Sequence, residues 1–232
     1  LVPWSVARAR AVVVPTETIK AEVAERYTLA AEGIHVTHEG VSPEFFGAAP
    51  LSGMALGRMG IPGPFVLAVG TIEPRKNLKR LLSAWSMIRS ELGGWRLVIA
   101  GPKGWGEDLP ETEGVMLLGR VGDETLPGLF AAADVFCYPS LYEGFGLPPL
   151  EAMAAGTASV VGRYDAAPEV LGDAAFLVDP LEVDDLARGL LTVATDGSVR
   201  RRLELAGRSQ AARYTWTATA RATVGAYEAA MA

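Results

Sequence analysis

Two glutamates, Glu143 and Glu151, frame a glycine-bearing stretch in PSLYEGFGLPPLEAMAAG, residues 139–156. A carboxylate can accept two hydrogen bonds from a vicinal diol, such as ribose and sugar rings carry. The residues around the pair predict a place for an anion. Residues 134–138 (DVFCY) read as a short buried strand, and 150–155 as a helix. Pro148 and Pro149 suit a first helical turn, where a missing N–H costs nothing. Gly156 suits the stop. Strand, glycine loop and helix in that order set the free N–H groups of a helix start at the carboxyl end of a strand, ready for a phosphate or diphosphate. Glu151, expected in the first helical turn, has a second explanation, since Glu there complements the helix dipole by roughly 0.3–1 kcal/mol. Glu143, between Tyr142 and Gly144, has none as good. Pattern alone leaves two readings open, a nucleotide or sugar site and a plain strand–loop–helix junction.

The elements that must position these residues alternate along the chain. Apolar runs at 65–69, 95–100, 115–118, 134–138, 158–161 and 174–178 read as strands. Helices are expected at 78–92, from Asp123 or Glu124 to Ala132, at 150–155, and then at 183–195, 199–213 and 216–230. Short continuous apolar strands alternating with helices predict an α/β, Rossmann-like parallel sheet covered by helices on both faces. Asn77 is the expected cap of the 78–92 helix. Upstream, 11–14 and 34–38 read as strands, with a helix at 17–27 capped by Thr16 or Thr18. Residues 48–64, rich in Gly, Pro and Ala, read as a linker. His35 and His38 have no partner at metal-ligand spacing and read as solvated strand-edge residues. Arg200, Arg201, Arg202, Arg208 and Arg213 read as a solvated helix face.

Loops at strand ends carry the unusual residues, which in such folds marks the ligand edge. Arg75 and Lys76, in GTIEPRKN after the 65–69 strand, offer positive charge to a diphosphate. Elsewhere such a pair reads as solvated; here it lies on the same side of the sheet as the two glutamates. Gly101-x-x-Gly104-x-Gly106 has the wrong order for a dinucleotide fingerprint.

Composition narrows the classes. The 232 residues suffice for one large or two small domains, and 50% are hydrophobic. A net charge of −6 excludes a nucleic-acid binder that relies on a basic surface. The one cysteine, Cys137, makes no internal disulfide and reads as a core residue. No run approaches the roughly 20 apolar residues of a membrane helix. A cytoplasmic protein is expected, with peripheral membrane binding left open. The chain begins at Leu1 and reads from there like the middle of a longer protein.

PSLYEGFGLPPLEAMAAGT resembles the Glu-x7-Glu signature of retaining glycosyltransferases of the GT-B fold, in the large family of bacterial mannosyl- and glucosyltransferases, sucrose synthase and glycogen synthase. GTIEPRKN, APEVLGDAAFLVDP and the ending RYTWTATARATVGAYEAA are similar to the family's corresponding segments. The resemblance implies that residues 1–47 are the tail of an acceptor-side domain, 48–64 the linker, and 65–232 the donor-binding domain with a final helix returning to the first. The rest of the acceptor-side domain would then lie outside the chain. It implies a hexosyl transfer from a nucleotide-diphosphate sugar to an unidentified acceptor with retention of configuration. In that reading Lys76 reaches the diphosphate, Arg75 less securely so, and Thr71 stands after Gly70 where many members carry arginine. Gly144, Phe145, Gly146 and Leu147 present backbone to the phosphates. Glu143 orients the sugar hydroxyls and is, with Lys76, the expected catalytic residue. Glu151 takes the ribose hydroxyls, and the base lies against Gly119-Arg120-Val121, with Gly101 nearby. Glu169 is assigned to loop structure. No Asp-x-Asp motif occurs, so neither metal nor cofactor is expected. Two alternatives stand beside this reading: a catalytically silent nucleotide-sugar binding module and, more weakly, another enzyme on the same architecture such as a sugar-nucleotide epimerase.

Overall fold

The computed structural model of the protein describes residues 2–231. A six-stranded sheet runs through it, formed by β3 (Phe65–Val69), β4 (Arg96–Ala100), β5 (Val115–Gly119), β6 (Val135–Tyr138), β7 (Ser159–Gly162) and β8 (Phe176–Val178). Every pairing is parallel, in the spatial order β5-β4-β3-β6-β7-β8. The chain winds outward from β3 in one direction and from β6 in the other, so the order reverses between these two central strands. Ahead of the sheet, β1 (Val12–Val14) and β2 (Ile34–Val36) form a separate parallel pair.

Helices cover both faces because strand side chains alternate. Val66, Ala68, Leu97, Ile99, Val135 and Cys137 pack against α4 (Leu78–Ile88) and α8 (Val183–Thr195), with Trp85, Leu186 and Leu190 fully buried. Phe65, Leu67, Val98, Phe136 and Tyr138 pack on the other face with α5 (Leu126–Ala132), α6 (Leu147–Ala155) and α7 (Ala167–Leu171). The remaining helices are α1 (Val2–Val6), α2 (Glu17–Tyr27), α3 (Gly53–Arg58), α9 (Gly197–Ala211) and α10 (Trp216–Met231). No helix among the described residues is long and apolar enough to cross a membrane.

Several expectations are corrected. The 48–64 segment contains α3, started by Ser52, whose side chain accepts from the Ala55 N–H. Helix α6 begins at Leu147, so Glu151 lies beyond the first turn and does not answer the helix dipole there. Helix α5 begins after Thr125, later than Asp123 or Glu124. His38 lies past the end of β2 and is not simply solvated. Its Nε2 is 3.2 Å from Glu169 Oε1, and its ring packs on Phe145 and edge-on to Tyr214.

Asn77 precedes α4 as expected, yet its side chain does not cap it. Asn77 adopts a left-handed conformation (φ 57°) that asparagine tolerates. Its buried Nδ2 instead donates to the carbonyls of Pro139 (3.1 Å) and Pro180 (2.6 Å), and its Oδ1 accepts from Arg80. One amide thus ties the start of α4 to the chain leaving β6 and to the loop after β8. Asn77→Ala strands both carbonyls and is expected to cost about 2–4 kcal/mol in urea unfolding; a change within about 0.5 kcal/mol would show that the tie is not stabilising.

Candidate active site at the sheet crevice

The loops after β3 and β6 leave the sheet where the strand order reverses, the crevice in which open α/β sheets bind ligands. The Leu141 N–H donates to the Arg75 carbonyl, holding the two loops edge to edge. Across this seam Lys76 Nζ lies 2.7 Å from Glu143 Oε1 and 2.6 Å from Tyr138 Oη. Tyr138 Oη donates to the same Glu143 oxygen at 2.8 Å. Arg75 Nη1 is 2.5 Å from Glu143 Oε1 and donates to the Tyr142 carbonyl, while Nη2 pairs with Glu73.

Lys76 runs alongside Gly70. The lysine stem lies against that glycine, where an added Cβ would sit 3.2 Å from Lys76 Cε. Burial opposes ionisation of Glu143, but the bonds and charges of Lys76 and Arg75, with the Tyr138 hydroxyl, outweigh it and hold the carboxyl below its usual range. Burial first, and then Glu143, push the Tyr138 phenol up, so it stays protonated and can donate. Burial alone pushes the Cys137 thiol up, as fits a core residue.

The loop after β6 ends in Gly146, whose φ of 96° and tight packing both require glycine: a Cβ there would fall 2.1 Å from Tyr164 Oη. Gly144 is under no such constraint, since a Cβ would meet Pro15 at 3.6 Å. Phe145 turns its ring into the core and leaves only backbone toward the loop. Gly146 and Leu147 then open α6 with no side-chain cap, and because Pro148 and Pro149 carry no N–H, the Leu147 N–H stands at the head of the helix to be satisfied from outside.

Further along α6, half-buried Glu151 has its carboxyl pushed up to about 7, by burial first and then by the charge of Glu44. On the β4 and β5 side, Gly70, Thr71, Gly101, Arg120 and Val121 line one cavity of about 210 Å³ with Val69, Ala100 and Leu126. Gly101 lets the loops after β3 and β4 approach closely at that cavity, because a Cβ on it would lie 2.0 Å from the Gly70 carbonyl oxygen. A larger groove of about 410 Å³ lies along the loop after β3, lined by Ile72, Leu78, Leu109 and Leu141 among others. Neither Lys76 nor Glu143 lines it, so size does not locate the polar cluster.

The structure therefore joins Arg75, Lys76 and Glu143 directly and gathers five further expected residues at one cavity. Sequence reasoning missed Tyr138 and Glu73. Tyr138 carried a signal, being a hydroxyl at the loop end of an otherwise apolar strand. It also missed the hold of the first residues on the loop. Thr16 Oγ1 donates to the Gly144 carbonyl (3.0 Å), and Tyr142 Oη donates to Glu22 (2.9 Å). Glu169 accepts from the N–H groups of Glu17 and Thr18 at the start of α2, a structural role as expected. Among the described residues no group of three or more His, Cys, Asp or Glu side chains is placed to hold a metal ion.

The chain is similar in sequence to proteins of known name. The Escherichia coli O-antigen chain mannosyltransferase B is 39% identical over 173 residues, covering 71% of this chain and 45% of that protein. The Mycolicibacterium hassiacum MMP alpha-(1->4)-mannosyltransferase is 34% identical over 217 residues, covering 89% of this chain and 51% of that protein. The chain thus spans about half the length of these two relatives. Among solved structures, Anabaena Alr3699/HepE in complex with UDP and glucose superposes with a TM-score of 0.81 at 20% identity, covering 95% of this chain and 63% of that one. Sucrose-phosphate synthase from Thermosynechococcus elongatus gives 0.78 at 24% identity, covering 94% of this chain and 57% of that one. At these identities the likeness is one of fold, that of the Rossmann-like C-terminal domain of GT-B enzymes. Residues 61–210 match the family described as glycosyl transferases group 1, and to that family the chain belongs.

Proposed function

We propose that the chain carries the donor site of a glycosyltransferase that moves a hexosyl residue from a nucleotide-diphosphate sugar to an acceptor with retention of anomeric configuration. The observation that carries the reading is the meeting of Lys76 and Arg75 with Glu143 at the crevice, beside the uncapped start of α6. Transfer builds negative charge on the leaving diphosphate, and preorganised cations and N–H groups stabilise it where it forms. Lys76, Arg75 and the Gly146 and Leu147 N–H groups take that role, so the site needs no divalent ion. Glu143 orients the sugar through its hydroxyls. Ionised Glu151 accepts both ribose hydroxyls, and the base enters the cavity at Arg120 and Val121.

Relatives named as mannosyltransferases support a mannosyl group as the hexosyl transferred. The solved neighbour with UDP and glucose supports a nucleoside diphosphate and a hexose in a cleft of this fold. Retention rests on the family resemblance. Acceptor-binding groups come from a further domain, as the half-length match to the relatives suggests. That same coverage favours the second reading, in which this chain alone binds donor without turning it over.

Lys76→Ala tests the diphosphate role. Affinity for a nucleoside diphosphate is expected to fall at least about tenfold in calorimetry, with nucleoside binding little changed. Equal losses for both ligands would point to a disturbed fold rather than a lost phosphate contact.

The ribose role makes a pH prediction. Glu151 accepts from both diol hydroxyls with its two oxygens only when ionised, and its carboxyl is raised from 4.5 to about 7. Nucleoside affinity should therefore rise with pH and level off above about 7, falling by about tenfold per unit below it. Glu151→Gln should bind weakly and without that slope. A wild-type affinity flat from pH 5 to 8 would remove Glu151 from the ribose site.

A further inference from the structure

An anion site that holds a carboxylate at its centre is at odds with itself. Three donors converge on Glu143 Oε1: Lys76 Nζ, Arg75 Nη1 and Tyr138 Oη, all within 2.8 Å. The side chains of Lys76 and Glu143 are each only 12% exposed, so water screens the pair poorly. Glu73 occupies the other end of Arg75 at 2.8 Å. Both cations assigned to the diphosphate are thus already neutralised by the chain's own carboxylates.

We propose that Glu143 is an internal counter-anion that makes the site favour an intact nucleotide-diphosphate sugar over the bare nucleoside diphosphate left after transfer. This rests on the donor-site reading above. An arriving diphosphate competes with Glu143 for the same N–H donors and must draw Lys76 and Arg75 at least partly away from it. A carboxylate that loses donors inside a poorly hydrated site is destabilised unless new ones replace them. A donor sugar brings its own hydroxyls to Glu143 and makes good the loss. A bare diphosphate brings no hydroxyl there, and its terminal phosphate adds charge of the same sign. The penalty falls on the product and spares the substrate, which is how a repulsive element confers specificity. Tyr138 keeps the device set, because its protonated hydroxyl bridges Lys76 and Glu143 and holds the carboxylate over the cations.

The test is calorimetric titration of the whole chain with UDP, GDP, UDP-glucose and GDP-mannose at one pH and ionic strength, using wild type, Glu143→Gln and Glu143→Ala. Thermal melts verify that each variant unfolds cooperatively. Wild type is expected to bind the sugar-bearing nucleotide at least as tightly as its bare diphosphate. Both variants should bind the bare diphosphate about tenfold tighter than wild type, as removal of a like charge in a site of intermediate dielectric requires. They should gain nothing for the sugar-bearing form. Bare diphosphate bound equally or more weakly by the folded variants would overturn the counter-anion role while leaving the donor site in place. Wild type preferring the bare diphosphate by tenfold or more would overturn it without any variant. Failure of wild type to bind any of the four would remove the donor-site reading, and this inference with it.

Discussion

The structure turns on a single seam, the one between the loops after β3 and β6. Parallel strands that wind away from each other leave a crevice at their carboxyl ends, and a crevice alone is only a gap. Here it is closed by charge. Lys76 and Arg75 from one loop and Glu143 from the other meet, with Tyr138 between them. Removing either partner of such a poorly hydrated pair would leave an uncompensated charge, which is why the two loops hold one geometry. Asn77 fastens the same seam from below through the Pro139 and Pro180 carbonyls. Gly101 lets the β4 loop lie directly against the β3 loop.

Residues 10–41 are tied closely to this arrangement. Helix α2 presents Thr16 to the Gly144 carbonyl and Glu22 to Tyr142, on either side of Glu143. Glu169 holds the start of α2, and His38 joins that carboxylate to the buried Phe145 and Tyr214 rings. The Val41 N–H donates to the Tyr214 carbonyl, Thr219 bonds the His38 carbonyl, and Arg10 reaches the Ala230 carbonyl along α10. Two of these bonds, from Thr16 and to Glu22, thus hold the loop that bears Glu143 on either side of that residue.

Much of the fold was legible because central parallel strands are buried on both faces and read as unbroken apolar runs. FVLAV at β3 and the helices at 17–27 and 183–195 fall where periodicity and caps placed them. The start of α6 fell where Pro148 and Pro149 placed it, in a first turn that needs no N–H from them, but Glu151 lies one turn further along than expected. In the 48–64 stretch, Gly and Ala hid α3, although Ser52 was a cap in plain view. The site was legible as a set of residues and not as a geometry. Lys76 and Glu143 lie 67 positions apart, and no local pattern says that they touch. Nor does composition show that a helical glutamate such as Glu151 lies near enough to Glu44 and deep enough to hold its proton near neutrality.

The crevice in this chain is proposed to be a nucleotide-sugar donor site, and as such it should bind ligand on its own. Calorimetric titration of the chain with UDP, GDP, ADP and TDP, in buffer treated with a metal chelator, decides this. Micromolar binding of one nucleoside diphosphate without metal is expected, with the base selected at the cavity beside Arg120. Absence of binding by all four at millimolar concentration, from a chain that melts cooperatively, would contradict it.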